Sequence, residues 1–169
     1  MAEREFACAP DGSFDVVILV DVFEHFLSPT SLLSRLISLI KPGGLLIIVT
    51  GNGDNAFCRL DPAQFWYFRN IEHIIMLTRR YAESLAHHFR LTLGQYEIAT
   101  HYDASWWRKI VQFTQHFAYW QFRKRNHFIA KLFRLFPEIR KAERWPVAPG
   151  FSGSKDHVIA VFEKHDCSE

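Results

Sequence analysis

An aspartate, a glutamate and a histidine fall within five residues, Asp21-Val22-Phe23-Glu24-His25, directly after the apolar run Phe14–Val20. Such a set can fix a turn, hold a polar ligand and move a proton. His25 is the candidate general base, because an unperturbed imidazole titrates near neutrality. A second reading has Glu24 and His25 bracing the loop and helix that follow. Asp21 suits the fixing of the turn, or a ligand contact, better than the role of base. Elsewhere, His73 reads as a loop histidine, and His87-His88 lies in a helical pattern without matching ligands. No cluster offers three or four metal ligands, so no metal is expected. Cys8, Cys58 and Cys167 are far apart and form no CxxC pair, which fits a reducing cytoplasm rather than a disulfide framework.

The elements that must position these residues can be read from periodicity. Phe14–Val20 and Leu45–Val49 are short, Val- and Ile-rich runs, the pattern of strands buried on both faces. Between them Leu32, Leu33, Leu36, Ile37 and Ile40 recur at helical spacing, with Ser28 as the expected N-cap and Pro29 in the first turn. Pro42-Gly43-Gly44 is expected to stop that helix and turn the chain into the next strand. Strand, crossover helix and strand of this length make a right-handed parallel unit. Beyond Asn52, residues 53–69 read as a long aromatic loop. Thr78 is then the expected N-cap of a helix with Tyr81, Leu85 and Phe89 on one stripe. Leu91–Ala99 and His157–Glu163 read as further strands, Gly94 marking a bulge. The expected spatial order is first, second, fourth, third, with the last strand antiparallel.

FDVV, three residues, DVFEH, a Pro, a Leu-rich helix and LIKPGGLLIIVTGN occur in an order that resembles the second half of class I S-adenosylmethionine-dependent methyltransferases. The likeness is greatest to the small-molecule enzymes of the ubiquinone-biosynthesis type. It is strong over residues 13–52, thinner to about residue 99, and topological after that. The resemblance implies an α/β fold: a partial Rossmann-like methyltransferase sheet, strands four to seven, with a helical insertion before the last strand. Residues 1–169 then form a single domain, the C-terminal part of such a fold, with 104–144 as the insertion. Arg4 to Ala9 stands where the third strand would end. The cofactor implied is S-adenosylmethionine. The turn Val20, Asp21 and Val22 would lie beside its methionine end, and Asn52 and His73 would reach the substrate. For Asn52 a plain strand-end hydrogen bond is the other reading. The Gly-x-Gly loop and ribose carboxylate that bind such a cofactor have no counterpart here. Gly51-Asn52-Gly53 mimics the loop but stands in the fifth-strand position. This implies a clipped enzyme, or one needing a second copy or a partner that supplies the N-terminal half. The competing class is a truncated, inactive relative acting as a binding or membrane-surface partner.

Charge is distributed unevenly along the chain. Ala104 to Arg144 holds ten Lys or Arg against two acids, a formal +8, whereas the whole protein carries only +2. Trp106, Ile110, Phe113, Phe117 and Trp120 form an apolar seam at helical spacing, and a second helix is expected over Phe128–Phe136. This insertion is expected to cap the site and pack its seam inward. An anionic membrane surface is the next reading, and nucleic acid the least favoured, since no recognised module is present. A hydrophobic content of 49% argues against disorder. With no basic-then-apolar leader and no apolar run of membrane-spanning length, a cytoplasmic protein, peripheral at most, is expected.

Overall fold

The almost continuous apolar run Phe14–Val20 forms strand β1, but it is not buried on both faces as its composition suggests: Leu19 is buried, whereas Phe14, Val16, Ile18 and Val20 are exposed. Our computed structural model describes residues 9–100, 103–124, 127–150 and 152–165. Of the expected strand remnant Arg4 to Ala9, all but Ala9 lies outside the described residues. Helix α1 (Pro29–Leu39) follows, then strand β2 (Ile40–Gly51), helix α2 (Ala56–Leu60), helix α3 (Arg79–Phe89) and strand β3 (Leu91–Ala99). Helices α4 (Trp106–Arg123), α5 (His127–Arg134) and α6 (Pro137–Arg140) precede strand β4 (His157–Lys164). The chain divides into two compact units. One comprises Met1–Asp54, Ile74–Ala99 and His157–Glu169, the other Asn55–His73 and Thr100–Asp156.

The first unit is an α/β layer. Its sheet has the order β1-β2-β4-β3, β1 parallel to β2 and β4 antiparallel to both neighbours, as expected from the sequence. Alternation puts Leu19, Leu46, Ile48, Val158, Ala160 and Phe162 on one face, where they pack with α1 and α3. Leu33, Leu36 and Ile37 come from α1; Ala82, Leu85 and Ala86 come from α3. Thr78 caps α3 as expected, its hydroxyl accepting from Tyr81 N at 3.1 Å. Ser28 occupies the N-cap of α1 without a side-chain capping bond; Pro29 takes the first position. At the other end of α1, Lys164 Nζ of β4 donates to the carbonyls of Ile37 (2.9 Å) and Ile40 (2.6 Å). A cation placed there satisfies carbonyls that the helix itself leaves open.

The Lys-Pro-Gly-Gly segment departs from its expected role. The helix already ends at Leu39, and Ile40 belongs to β2 rather than to the helical stripe. Phe14 pairs with Ile40 and Val16 with Leu45, so Lys41–Gly44 form a bulge within a strand that starts earlier than expected. The glycines are needed for two reasons. Gly43 has φ +72°, and a Cβ on Gly44 would stand 2.7 Å from the carbonyl oxygen of Asp15. Gly94 makes the second bulge, between Leu93 and Gln95, as expected.

The second unit is helical and aromatic. The expected long loop contains α2, capped by Asn55 accepting from Phe57 N at 2.9 Å, and two 3-10 turns, Pro62–Gln64 and Trp66–Arg69. Helix α4 covers the expected segment but is turned the other way. Its buried residues are His116, Ala118 and Tyr119, whereas Trp106, Ile110, Phe113 and Phe117 of the seam are exposed. Tyr119, expected off the seam, forms a small core with Ala142 and Ala148, flanked by Trp120, Phe122 and Trp145. Pro137 opens α6 at its first position.

His116 explains why that face is buried. Its Nδ1 lies 2.7 Å from the Pro149 carbonyl, and its Nε2 accepts from Trp120 Nε1 at 3.1 Å. The bond accepted by Nε2 requires the neutral ring, and burial pushes its pKa below the ordinary value although the Pro149 bond opposes that shift. Below a pH of about 6.5 the unfolded chain takes up a proton that the folded chain resists. Stability from this group is therefore complete above that pH and is lost as pH falls through the folded pKa. The thermal midpoint should drop on acidification below about pH 6.5, and His116→Gln should flatten that dependence while lowering the midpoint throughout. A pH-independent midpoint over this range would contradict the assignment.

Candidate functional site

Parallel strands bring the carboxyl ends of β1 and β2 side by side, Val20 beside Val49. In open α/β sheets ligands bind at such ends. Asp21 N donates to Val49 O at 3.0 Å, and the chain then turns sharply with Asp21 at φ +51°. A left-handed aspartate is tolerated better than most non-glycine residues, because its short polar side chain suits αL. The turn leaves Val20, Asp21 and Val22 exposed and then enters a 3-10 turn, Phe23–His25.

Phe23 and Glu24 are both fully buried at 0% exposure. Glu24 Oε2 accepts from the buried Thr50 hydroxyl at 2.7 Å, and its backbone carbonyl accepts from Ile74 N at 2.8 Å. The glutamate thus ties the turn after β1 to the end of β2 and to the segment leading into α3. His25, next in the chain, is half-buried.

The end of β2 is held from another side. Asn52 is buried, bridges Leu77, and its Oδ1 accepts from Asp54 N at 2.9 Å. Gly53 N donates to Leu77 O at 2.9 Å, and Asp54 Oδ2 accepts Arg79 N at 2.7 Å at the start of α3. Arg79 stacks over the Tyr96 ring, 5.6 Å from its centre. Burial, with the Asp54 carboxylate adding to it, pushes the Tyr96 phenol up to about 12. Tyr96 therefore stays protonated and is no candidate base.

Five of the six sequence-derived site residues, Val20, Asp21, Val22, His25 and Asn52, belong to the first compact unit. His73 belongs to the second, where its Nδ1 lies 2.8 Å from Tyr67 O and its ring packs on Tyr67, centres 4.4 Å apart. Two residues at the strand ends went unread. Thr50 holds Glu24, and buried His157, first in β4, places Nε2 3.5 Å from Asp21 Oδ1. Register alone could have found His157, since it pairs with Gly51 once β4 is antiparallel to β2.

With this geometry in hand, comparisons with known proteins can be read. The model of a family described as "Methyltransferase domain" matches residues 1–96. Sequence comparison with curated proteins gives no match. Among solved structures, a SAM-dependent methyltransferase from Archaeoglobus fulgidus matches at 16% identity with a TM-score of 0.51, over 97% of this chain and 65% of its own. One from Thermotoga maritima gives 11% identity and 0.52, over 93% of this chain and 59% of its own. The YcgJ protein of Bacillus subtilis gives 14% and 0.52, over 93% and 66%. At these identities the likeness is one of fold, and this chain spans less than two thirds of each of those structures.

The Glu24–Thr50 bond has a measurable consequence. Thr50→Val keeps the side-chain shape but removes the hydroxyl from a buried carboxylate, and should cost about 1–3 kcal/mol. In urea unfolding the midpoint should fall with an unchanged slope. Asp15→Asn, at an exposed ion pair with Lys41, should leave the midpoint where it is.

Proposed function

Because this chain belongs to the methyltransferase domain family, we propose that it forms the methionine-end wall and part of the substrate floor of an S-adenosylmethionine-dependent enzyme acting on a small, apolar molecule. Its sheet is part of a Rossmann-like methyltransferase fold. The observation that carries the reading is the pairing of the β1 and β2 ends, with the Asp21 turn exposed above a buried Glu24. Val20 and Val22 offer apolar surface on either side of the Asp21 carboxylate, a surface chemically suited to an aliphatic, cationic ligand end. Bound there, the cofactor supplies an electrophilic methyl group on sulfur. The chain's own part is to fix the turn through Glu24 and Thr50 and to present His25. An imidazole nitrogen of His25 accepts the proton that an oxygen or nitrogen acceptor loses. Asn52 is assigned to the substrate side.

The Gly51-Asn52-Gly53 turn does not fit the cofactor cradle that its sequence mimics. A helix does follow it, the five residues of α2, but the Gly53 amide is bonded to Leu77 O and the Asp54 amide to Asn52 Oδ1. Strand β1 lies at the edge of the described sheet with Phe14, Val16, Ile18 and Val20 exposed. An open apolar edge of this kind favours pairing with another strand. We assign it to a second copy or a partner polypeptide that completes the cofactor site. The same edge supports the second reading, an inactive relative that acts by binding.

Calorimetry separates these readings. The chain alone should give no tight heat with S-adenosylmethionine, and adding a polypeptide that supplies a Gly-x-Gly loop and a ribose-binding carboxylate should restore micromolar binding. In that assembly His25→Ala should lower turnover about 100-fold or more while cofactor affinity stays within a few-fold. Micromolar binding by the folded monomer would overturn the need for a partner. Binding without any methyl transfer to small acceptors would favour the inactive relative.

A further inference from the structure

Helix α4 carries two different apolar faces, and one of them is largely exposed. Beside His116 and across from Tyr119 runs the row Trp106, Ile110, Phe113 and Phe117, from 70% exposed at Trp106 to 43% at Phe117. The helix is about 27 Å long, so the row is not a local patch. A second row continues on α5 and the turn after it, with Phe128 at 83%, Leu132 at 52% and Leu135 at 73% exposed. Phe117 meets Phe133 edge to face, ring centres 6.1 Å apart, which joins α4 to α5 at that point. Solvent contact for so many large apolar groups is costly, and contiguous patches of this kind mark interaction sites.

Charge identifies the occupant. The segment 104–144 holds ten cations against two acids, and both acids are already ion-paired, Glu138 with Lys141 and Glu143 with Arg134. Lys124, Lys131 and Arg140 are exposed around the rows. A second copy of the hairpin would bring two strongly cationic segments together. Nucleic acid would use the cations and the rings, but gains little from Ile110, Leu132 and Leu135, which cannot stack on bases. Apolar rows with Trp and Phe, flanked by long cationic side chains, match a helix lying in the plane of a lipid surface. Among the described residues no helix is long and apolar enough to cross a membrane, so the contact is superficial.

We propose that α4 and α5 dock on an anionic membrane surface, their apolar rows at the acyl boundary and their cations among lipid phosphates. This stands apart from methyl transfer, since neither row contains a residue assigned to the site.

Flotation of the full chain with vesicles tests it. Equimolar phosphatidylglycerol and phosphatidylcholine should bind the protein at least about tenfold better than phosphatidylcholine alone, and added salt should weaken binding. The combined variant Trp106→Ser, Ile110→Ser, Phe128→Ser should lose binding, with circular dichroism and thermal midpoint unchanged because the three side chains are exposed. The variant Lys124→Gln, Lys131→Gln, Arg140→Gln should lose about tenfold at low salt. Equal partition into both vesicle types, or full binding by the apolar variant, would overturn the proposal. Two other outcomes would reassign the hairpin and overturn it equally. One is single-stranded oligonucleotide binding that survives the apolar variant; the other is self-association abolished by that variant, without vesicle binding.

Discussion

A carboxylate removed from water must be held, and Glu24 is held from both of its ends. Its side chain takes the Thr50 hydroxyl, and its carbonyl takes the amide of Ile74. Charged groups are rarely taken fully out of water unless such bonds replace the solvent. The bonds therefore do more than stabilise. They fix the turn after β1 relative to the end of β2, and the positive φ of Asp21 is the local cost of that geometry. Asp21, Val22 and His25 take their positions from this anchor. So does the run into α3, because Ile74 begins the segment that leads to the Thr78 cap.

Much of the first unit was legible because its signals are redundant. Near-continuous apolar runs gave β1 and β2, Thr78 gave the start of α3, and Gly94 gave the bulge in β3. The expected burial of β1 on both faces was wrong, one of its faces being exposed. The bulge at Lys41–Gly44 was not legible as such. Pro-Gly-Gly announces that regular structure is interrupted, but not which element contains the interruption. Only the approach of the Asp15 carbonyl to Gly44 decides that, and it is a long-range contact. The Glu24–Thr50 bond and the Asp21–His157 approach are non-local in the same sense. Sequence reasoning found the residues at one end of each and not their partners.

The second unit shows a different limit. Helix α4 has aromatic residues all round, so helical spacing yields more than one apolar stripe, and the one with the cleaner spacing is exposed. Hydrogen bonding selects the other. His116 and Tyr119 have polar atoms that need partners, and they find them in Pro149, Trp120, Gln64 and Pro146. A face that can satisfy its polar groups while burying rings is preferred over one that offers rings alone.

That difference separates the exposed β1 strand from the exposed rows of α4 and α5. Along β1 the exposed side chains accompany a backbone edge, whose amides and carbonyls seek a strand. A strand that paired with that edge would supply hydrogen bonds in register. Along α4 and α5 the backbone is satisfied within the helices, and the exposed rows ask only for an apolar phase bordered by negative charge. A lipid surface meets that demand without register or shape. The two surfaces thus call for partners of different physical kinds, and neither can substitute for the other. An enzyme assembled through the β1 edge and held at a membrane through the hairpin would meet an apolar substrate where such molecules collect, and the Asp21 turn needs neither surface for its own shape.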